Sequence, residues 1–183
     1  MFGPHATVAV MDVYTSDLPF PEGTKIKWLR VVQNIPKSNH AMGEPMIGYE
    51  RENTPRIPLG IVPVEEDGSA YFEAPVAKQL IFQALDENFM AVQSMRSSAF
   101  VHPGEQLSCM GCHENTHQAA QRKEPPLALR RPPSKLAPEC GPVEPISYYR
   151  QIKPIFEATC LPCHKAKNKG LQDMSYENLK EEY

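Results

Sequence analysis

Two five-residue blocks concentrate the chemistry-bearing side chains of this chain: Cys109-Met110-Gly111-Cys112-His113 and Cys160-Leu161-Pro162-Cys163-His164. In each, two thiols stand three positions apart and an imidazole follows at once. That spacing suits covalent attachment of a c-type haem. The thiols form thioethers to the two vinyl groups of one porphyrin, and the adjacent imidazole then lies beneath the iron as an axial ligand. With only five cysteines and six histidines among 183 residues, two such blocks are a poor match for accident. Cys109, Cys112 and His113 are therefore assigned to one haem, and Cys160, Cys163 and His164 to a second.

The first block runs on as His113-Glu114-Asn115-Thr116-His117. That string matches H-E-x-x-H, in which a helix puts two imidazoles on one face for zinc and the glutamate acts as general base. Two thiols have no role in such a peptidase site, and the flanking segments do not read as a long helix. A structural zinc site using Cys109, Cys112, His113 and His117 has suitable donors in kind and number. For the second haem, Met174 is the nearest thioether, but it follows His164 by only ten positions, a short path around a porphyrin edge. His102 is a candidate for the far side of the first iron. Cys140 is left over and receives no function.

The elements that must hold these blocks change character along the chain. Ala6 to Tyr14, Lys25 to Val32, Leu59 to Val64, Ala70 to Ala74, Gln79 to Leu85 and Phe89 to Met95 are β-branched or alternating runs separated by Pro/Gly turns. They predict a β-rich sandwich or small open barrel. Within Glu65-Glu66-Asp67-Gly68-Ser69, Asp-Gly supplies hairpin-type turn chemistry. Residues 118–145 hold Pro125, Pro126, Pro132, Pro133, Pro138, Pro142 and Pro145 and read as an extended linker. Its basic residues Arg122, Lys123, Arg130, Arg131 and Lys135 read as solvated, with pairing to haem propionates as the other use. From Ile146 the pattern turns helical: Ser147 is an N-cap candidate, Tyr148, Ile152, Ile155 and Phe156 share a face, and Pro154 should kink or shorten the helix. Ser175 to Tyr183 predicts another helix. The expected domains are residues 1–117, β-rich and ending in the first block, a linker over 118–145, and the start of an α-helical cytochrome c-like domain over 146–183.

Apolar residues make up 41% of the chain and charged residues 22%, with a net charge of −3. No run approaches the ~18 apolar residues of a membrane span. The basic residues form no stripe interleaved with aromatics, which argues against nucleic-acid binding. Met1-Phe2-Gly3-Pro4-His5 lacks the basic start and apolar stretch of a secretory signal. Haem attachment to such blocks in bacteria takes place outside the cytoplasm. The expectation is a periplasmic or otherwise extracytoplasmic protein of which this chain is a fragment, its export signal lying outside the segment.

Several stretches resemble the middle domain of the hydrazine synthase alpha subunit family. They are Pro63 to Ala70 (P-V-E-E-D-G-S-A), Phe82 to Asp86 (F-Q-A-L-D), Val92 to Ser97 (V-Q-S-M-R-S) and Pro103 to Glu114 (P-G-E-Q-L-S-C-M-G-C-H-E), with Asp12 to Tyr14 and Ile26 to Val31 like its upstream strands. The linker and second block are similar to the family's join to a C-terminal cytochrome c domain. By that comparison an N-terminal β-propeller and the end of the cytochrome domain are missing here. The resemblance implies a catalytic middle-domain haem, at which the block histidine turns to a zinc ion and a tyrosine four residues on binds iron. Carried over, His113 is the zinc ligand and position 117 the iron ligand. This chain has His117 there, an imidazole where the family has a phenolate. His117 then ligates haem iron, joins His113 on a metal, or lies on the surface.

The expected activity is electron transfer by a dihaem c-type cytochrome. At the first haem the expectation adds haem-dependent oxidoreductase chemistry on a small nitrogen or oxygen ligand. The expected partners are a redox protein and, by the resemblance, other subunits of a haem enzyme complex. The rival readings are a non-catalytic carrier with both irons six-coordinate and a zinc-stapled binding module without haem. The resemblance does not by itself transfer the family's reaction, because function lies in the site and a key position has changed.

Overall fold

A computed structural model describes residues 5–37, 46–47, 54–113, 117, 124–139, 147–166, 175–176 and 179. The chain divides into two compact units, Met1–Val143 and Glu144–Tyr183.

The first unit is β-rich, as its alternating runs predict. β1 (His5–Val10) lies between β4 (Ala70–Pro75), its antiparallel neighbour, and β8 (Gln106–Cys109), which runs parallel to it. A second sheet has the order β3 (Arg56–Pro63), β2 (Trp28–Asn34), β5 (Gln79–Leu85), β6 (Ala91–Ser94), with β7 (Ala99–Phe100) also pairing with β5. The two sheets bury a common core that includes Val8, Leu29, Val31, Val62, Phe72 and Leu80. Phe72 of the first sheet meets Phe82 of the second edge to face, ring centres 5.6 Å apart, a favoured aromatic geometry.

Three local features depart from the sequence reading. β1 ends at Val10, not Tyr14, because the Asp12 side chain accepts from the Tyr14 amide (2.9 Å) and turns the chain. The Glu65–Ser69 turn forms, with Gly68 at φ +80° and Gly68 N donating to Glu65 O (2.9 Å). It carries the chain from β3 in one sheet to β4 in the other, so it is a corner and not a hairpin. β8 follows the six expected strands and carries the first cysteine.

The proline-rich stretch also departs from a free tether. Residues 127–130 form a 3₁₀ turn with Ala128 fully buried. Two of the amides that the prolines leave are capped from the 65–69 corner: Leu127 N donates to Asp67 Oδ2 (2.9 Å) and Ala128 N to Ser69 Oγ (3.0 Å). Ala137 then exchanges backbone hydrogen bonds with Ile61 on β3 (2.8 and 3.0 Å). Gly60, at φ +146°, permits this, since a Cβ there would lie 2.6 Å from the Ala137 carbonyl oxygen. The remainder of the expected linker, including Cys140, falls outside the described residues apart from Glu124 to Glu139.

In the second unit Ser147 does cap, accepting from Arg150 N at 3.4 Å. A π-type turn over Tyr148–Ile152 leads into α1 (Lys153–Thr159), and α2 (Leu161–Ala166) follows. Pro154 falls in the first turn of α1, where its missing N–H costs nothing, so the proline shortens the helix rather than kinking it. Leu179 N donates to Ser175 O (3.1 Å), one helical bond of the segment expected to be helical from Ser175. Met174 lies outside the described residues.

Candidate functional site

The first block is positioned by the core. Cys109 is the last residue of β8, opposite Val10 of β1. The residues after it are strapped to the loop that follows β1: Met11 N donates to Cys109 O (2.8 Å), Asp12 N to Met110 O (3.2 Å), Cys112 N to Thr15 O (3.1 Å) and Asp17 N to His113 O (2.9 Å). His113 and Ser16 form a parallel bridge. The backbone of residues 109–113 is therefore extended and bent, while residues 114–116 of the H-E-x-x-H string lie outside the described residues. Gly111 makes the strap possible, since a Cβ at that position would sit 2.0 Å from Thr15 O. Nothing in the spacing rule singles out Gly111, which occupies one of its unspecified positions.

Both thiols of the block are half-buried and pack against the core cluster. Burial pushes the Cys112 thiol up to about 12, with the nearby Cys109 and Asp12 raising it further. It is therefore a neutral S–H at physiological pH. Two cavities meet at the pair. One of about 50 Å³ enters the sandwich between Val10, Leu29 and Phe82. The other, about 500 Å³, lies between the Met95-Arg96-Ser97 bend and the Cys109 to His113 block. Met95, Cys109, Gly111 and Cys112 border both. The Nδ1 atom of His113 is buried and has no hydrogen-bond partner among the described residues. Such an atom carries a desolvation cost of roughly 1–3 kcal/mol unless something binds it.

His117 is exposed. Among the described residues, no three His, Cys, Asp or Glu side chains converge on a point that could hold a metal ion. His102 lies on an exposed turn, its Nδ1 3.2 Å from Glu105 Oε2. In the second unit Cys160 follows α1, with its amide bonded to Phe156 O (2.9 Å), while Cys163 and His164 sit on α2. Cys163 is exposed, and Cys160 and His164 are half-buried.

The donor set of the first block fits a covalent haem in kind, with two thiols and one imidazole beside a lined space. Met95, Arg96 and Ser97 are wall residues that the sequence reasoning did not single out as site residues. They lay inside a stretch that resembled the family, but none has the residue type that the block chemistry calls for.

Fold and site together define a sandwich-like β domain that presents a C-x-x-C-H block at the end of a strand. A family model described as the hydrazine synthase alpha subunit middle domain matches residues 24–114, and the chain belongs to that family through this domain. A solved structure of Kuenenia stuttgartiensis hydrazine synthase is similar over 92% of this chain and 30% of that one, with a TM-score of 0.67 and 21% identity. At that identity the likeness establishes the fold, and the chain spans about 30% of the length of the solved one. No curated protein matches. No helix among the described residues is long and apolar enough to cross a membrane.

Proposed function

We propose that the chain is part of an extracytoplasmic dihaem c-type cytochrome related to hydrazine synthase alpha subunits. Cys109 and Cys112 would hold one haem and Cys160 and Cys163 the other. His164 serves as an axial ligand in the second unit. His113 serves as a metal ligand in the first, either to haem iron or, as in the family, to zinc. A haem in the first unit supplies electron exchange and, where a coordination position is open, binding of a small nitrogen or oxygen ligand.

The observation that carries this reading is the meeting of three features at one strand end: paired thiols, a buried imidazole nitrogen without a partner among the described residues, and a cavity of about 500 Å³ between them and the facing bend. The chain's own residues do the positioning. The strap to residues 11–17 fixes the block, Met95 joins the space to the sandwich core, and the half-buried thiols border that space. Redox partner proteins and other subunits of a haem enzyme are the proposed partners, since the family name denotes one subunit of an assembly.

The test is production of the protein with a cytochrome c maturation system, followed by a pyridine haemochrome assay and peptide mass analysis. Two haems per chain are expected, one on each cysteine-pair peptide. A colourless, zinc-loaded protein would overturn the reading in favour of a metal-stapled module. Carbon monoxide added to the reduced protein then separates ligand chemistry from pure electron carriage, because only an open iron responds.

A further inference from the structure

We infer that Arg96 is the carboxylate anchor of the first haem site, pairing its guanidinium with a propionate of the porphyrin held by Cys109 and Cys112. The inference rests on the haem reading above. The sequence offered the basic residues of the proline-rich stretch for this task, and the structure gives two of them other places. Arg131 is bound to Glu65 (2.8 Å) and Ser134 (2.8 Å). Lys135 lines a separate cleft with Lys78 and Glu73.

Arg96 alone among the described Lys and Arg side chains lines the cavity that opens on both thiols and His113. It is exposed, and no hydrogen bond or ion pair to another described residue engages it. Its placement has a backbone cause. In an extended strand consecutive side chains face opposite ways, but the chain bends at Arg96-Ser97, directly after Met95 N bonds to Phe82 O (2.9 Å). Met95 and Arg96 thus border the same space, one from the apolar core and the other from solvent. This is the polarity that a haem presents, an apolar macrocycle with a carboxylated edge. A guanidinium matches a carboxylate in two parallel hydrogen bonds, which an ammonium cannot do. Arg96 is here a positioning residue acting on the carboxylate edge, and it touches no reacting atom.

The test compares Arg96→Gln and Arg96→Lys with the unaltered protein after haem maturation, by redox titration with the first haem followed spectroscopically. Reduction of the iron adds an electron, so a cation at the propionate edge favours the reduced form. Arg96→Gln should shift the midpoint potential of the first haem downward and leave the second unchanged, and Arg96→Lys should recover part of the shift. An unchanged first potential in Arg96→Gln, with two haems per chain and an unaltered thermal midpoint, would overturn the assignment. A unique lack of porphyrin mass on the Cys109–Cys112 peptide of the unaltered protein would instead remove the haem reading itself, and the anchor with it.

Discussion

The two C-x-x-C-H blocks share a spelling and differ in everything around them. The first is the end of a strand whose neighbours belong to a closed core, with Val8, Val13, Leu29, Phe72, Leu80 and Val101 shut off from water. The second lies on two short helices in which no residue is buried. Ile155 is 55% exposed and Tyr149 53%. The aromatic contacts of Tyr148 with Phe156 and Tyr176 (6.4 and 5.6 Å between ring centres) are the main packing described there. In the first unit the polypeptide would position the haem, and in the second the haem would complete the fold.

The sharpest way to break that contrast is to deny the second unit its thioethers. Cys160→Ser with Cys163→Ser should cost the helices of residues 153–166 their resistance to proteolysis, while the β unit keeps its unfolding transition. Cys109→Ser with Cys112→Ser should leave both sheets folded. Equal sensitivity of the two units to loss of their haems would end the distinction.

Next in size is Gly111→Ala. Its methyl would press on Thr15 O at 2.0 Å, so either the strap opens or the strand end shifts. A loss of about 3 kcal/mol in denaturant unfolding of the first unit is expected, the range of steric clashes in packed sites. Gly23→Ala is the control. It meets nothing within 4 Å but sits at φ +77°, so backbone strain alone should cost about 1 kcal/mol.

A pH experiment sharpens the same comparison in haem-free protein. Cys112 is raised from 9.0 to about 12 by burial first and by Cys109 and Asp12 next. A folded state that holds its proton more tightly than the unfolded chain gains stability below the unfolded value and loses it as pH rises through the folded one. The first unit should therefore weaken between about pH 9 and 12, and Cys112→Ala should flatten that part of its pH–stability curve. Alkylation read by mass should reach the exposed Cys163 well before Cys112.

The fold was legible where periodicity carried it. The six expected runs all contain strands, because alternating β-branched residues leave few other ways to bury one face. β8 escaped notice because it is four residues long, and its pairing with β1 is a parallel, long-range contact that no local pattern records. The docking of the proline-rich stretch was hidden for a related reason. Prolines advertise missing donors, but the acceptors for the Leu127 and Ala128 amides, Asp67 and Ser69, lie about 60 residues away in sequence. Of the site, the thiols and imidazoles could be read directly, since their spacing is their chemistry. Gly111 and Arg96 could not, because their roles depend on what lies across from them: Thr15 O in one case, a shared cavity in the other.

The smallest expected effect concerns that docked stretch. Glu65 and Arg131 pair at 2.8 Å, but each is about a third exposed (32% and 31%). An ion pair so open to water gains little over its hydrated partners, and salt screens what remains. Glu65→Gln should therefore cost less than about 1 kcal/mol in denaturant unfolding, and the loss should shrink at high salt. Ser69→Ala should cost more, because it removes the acceptor for the buried Ala128 amide. An orphaned buried amide carries roughly 1–3 kcal/mol. If the charge change outweighs the hydroxyl, the proline-rich segment is held to the sheet by electrostatics. The reverse order would rank the two capped amides above the ion pair among the contacts that hold residues 127–137, beside the Ala137–Ile61 backbone pair.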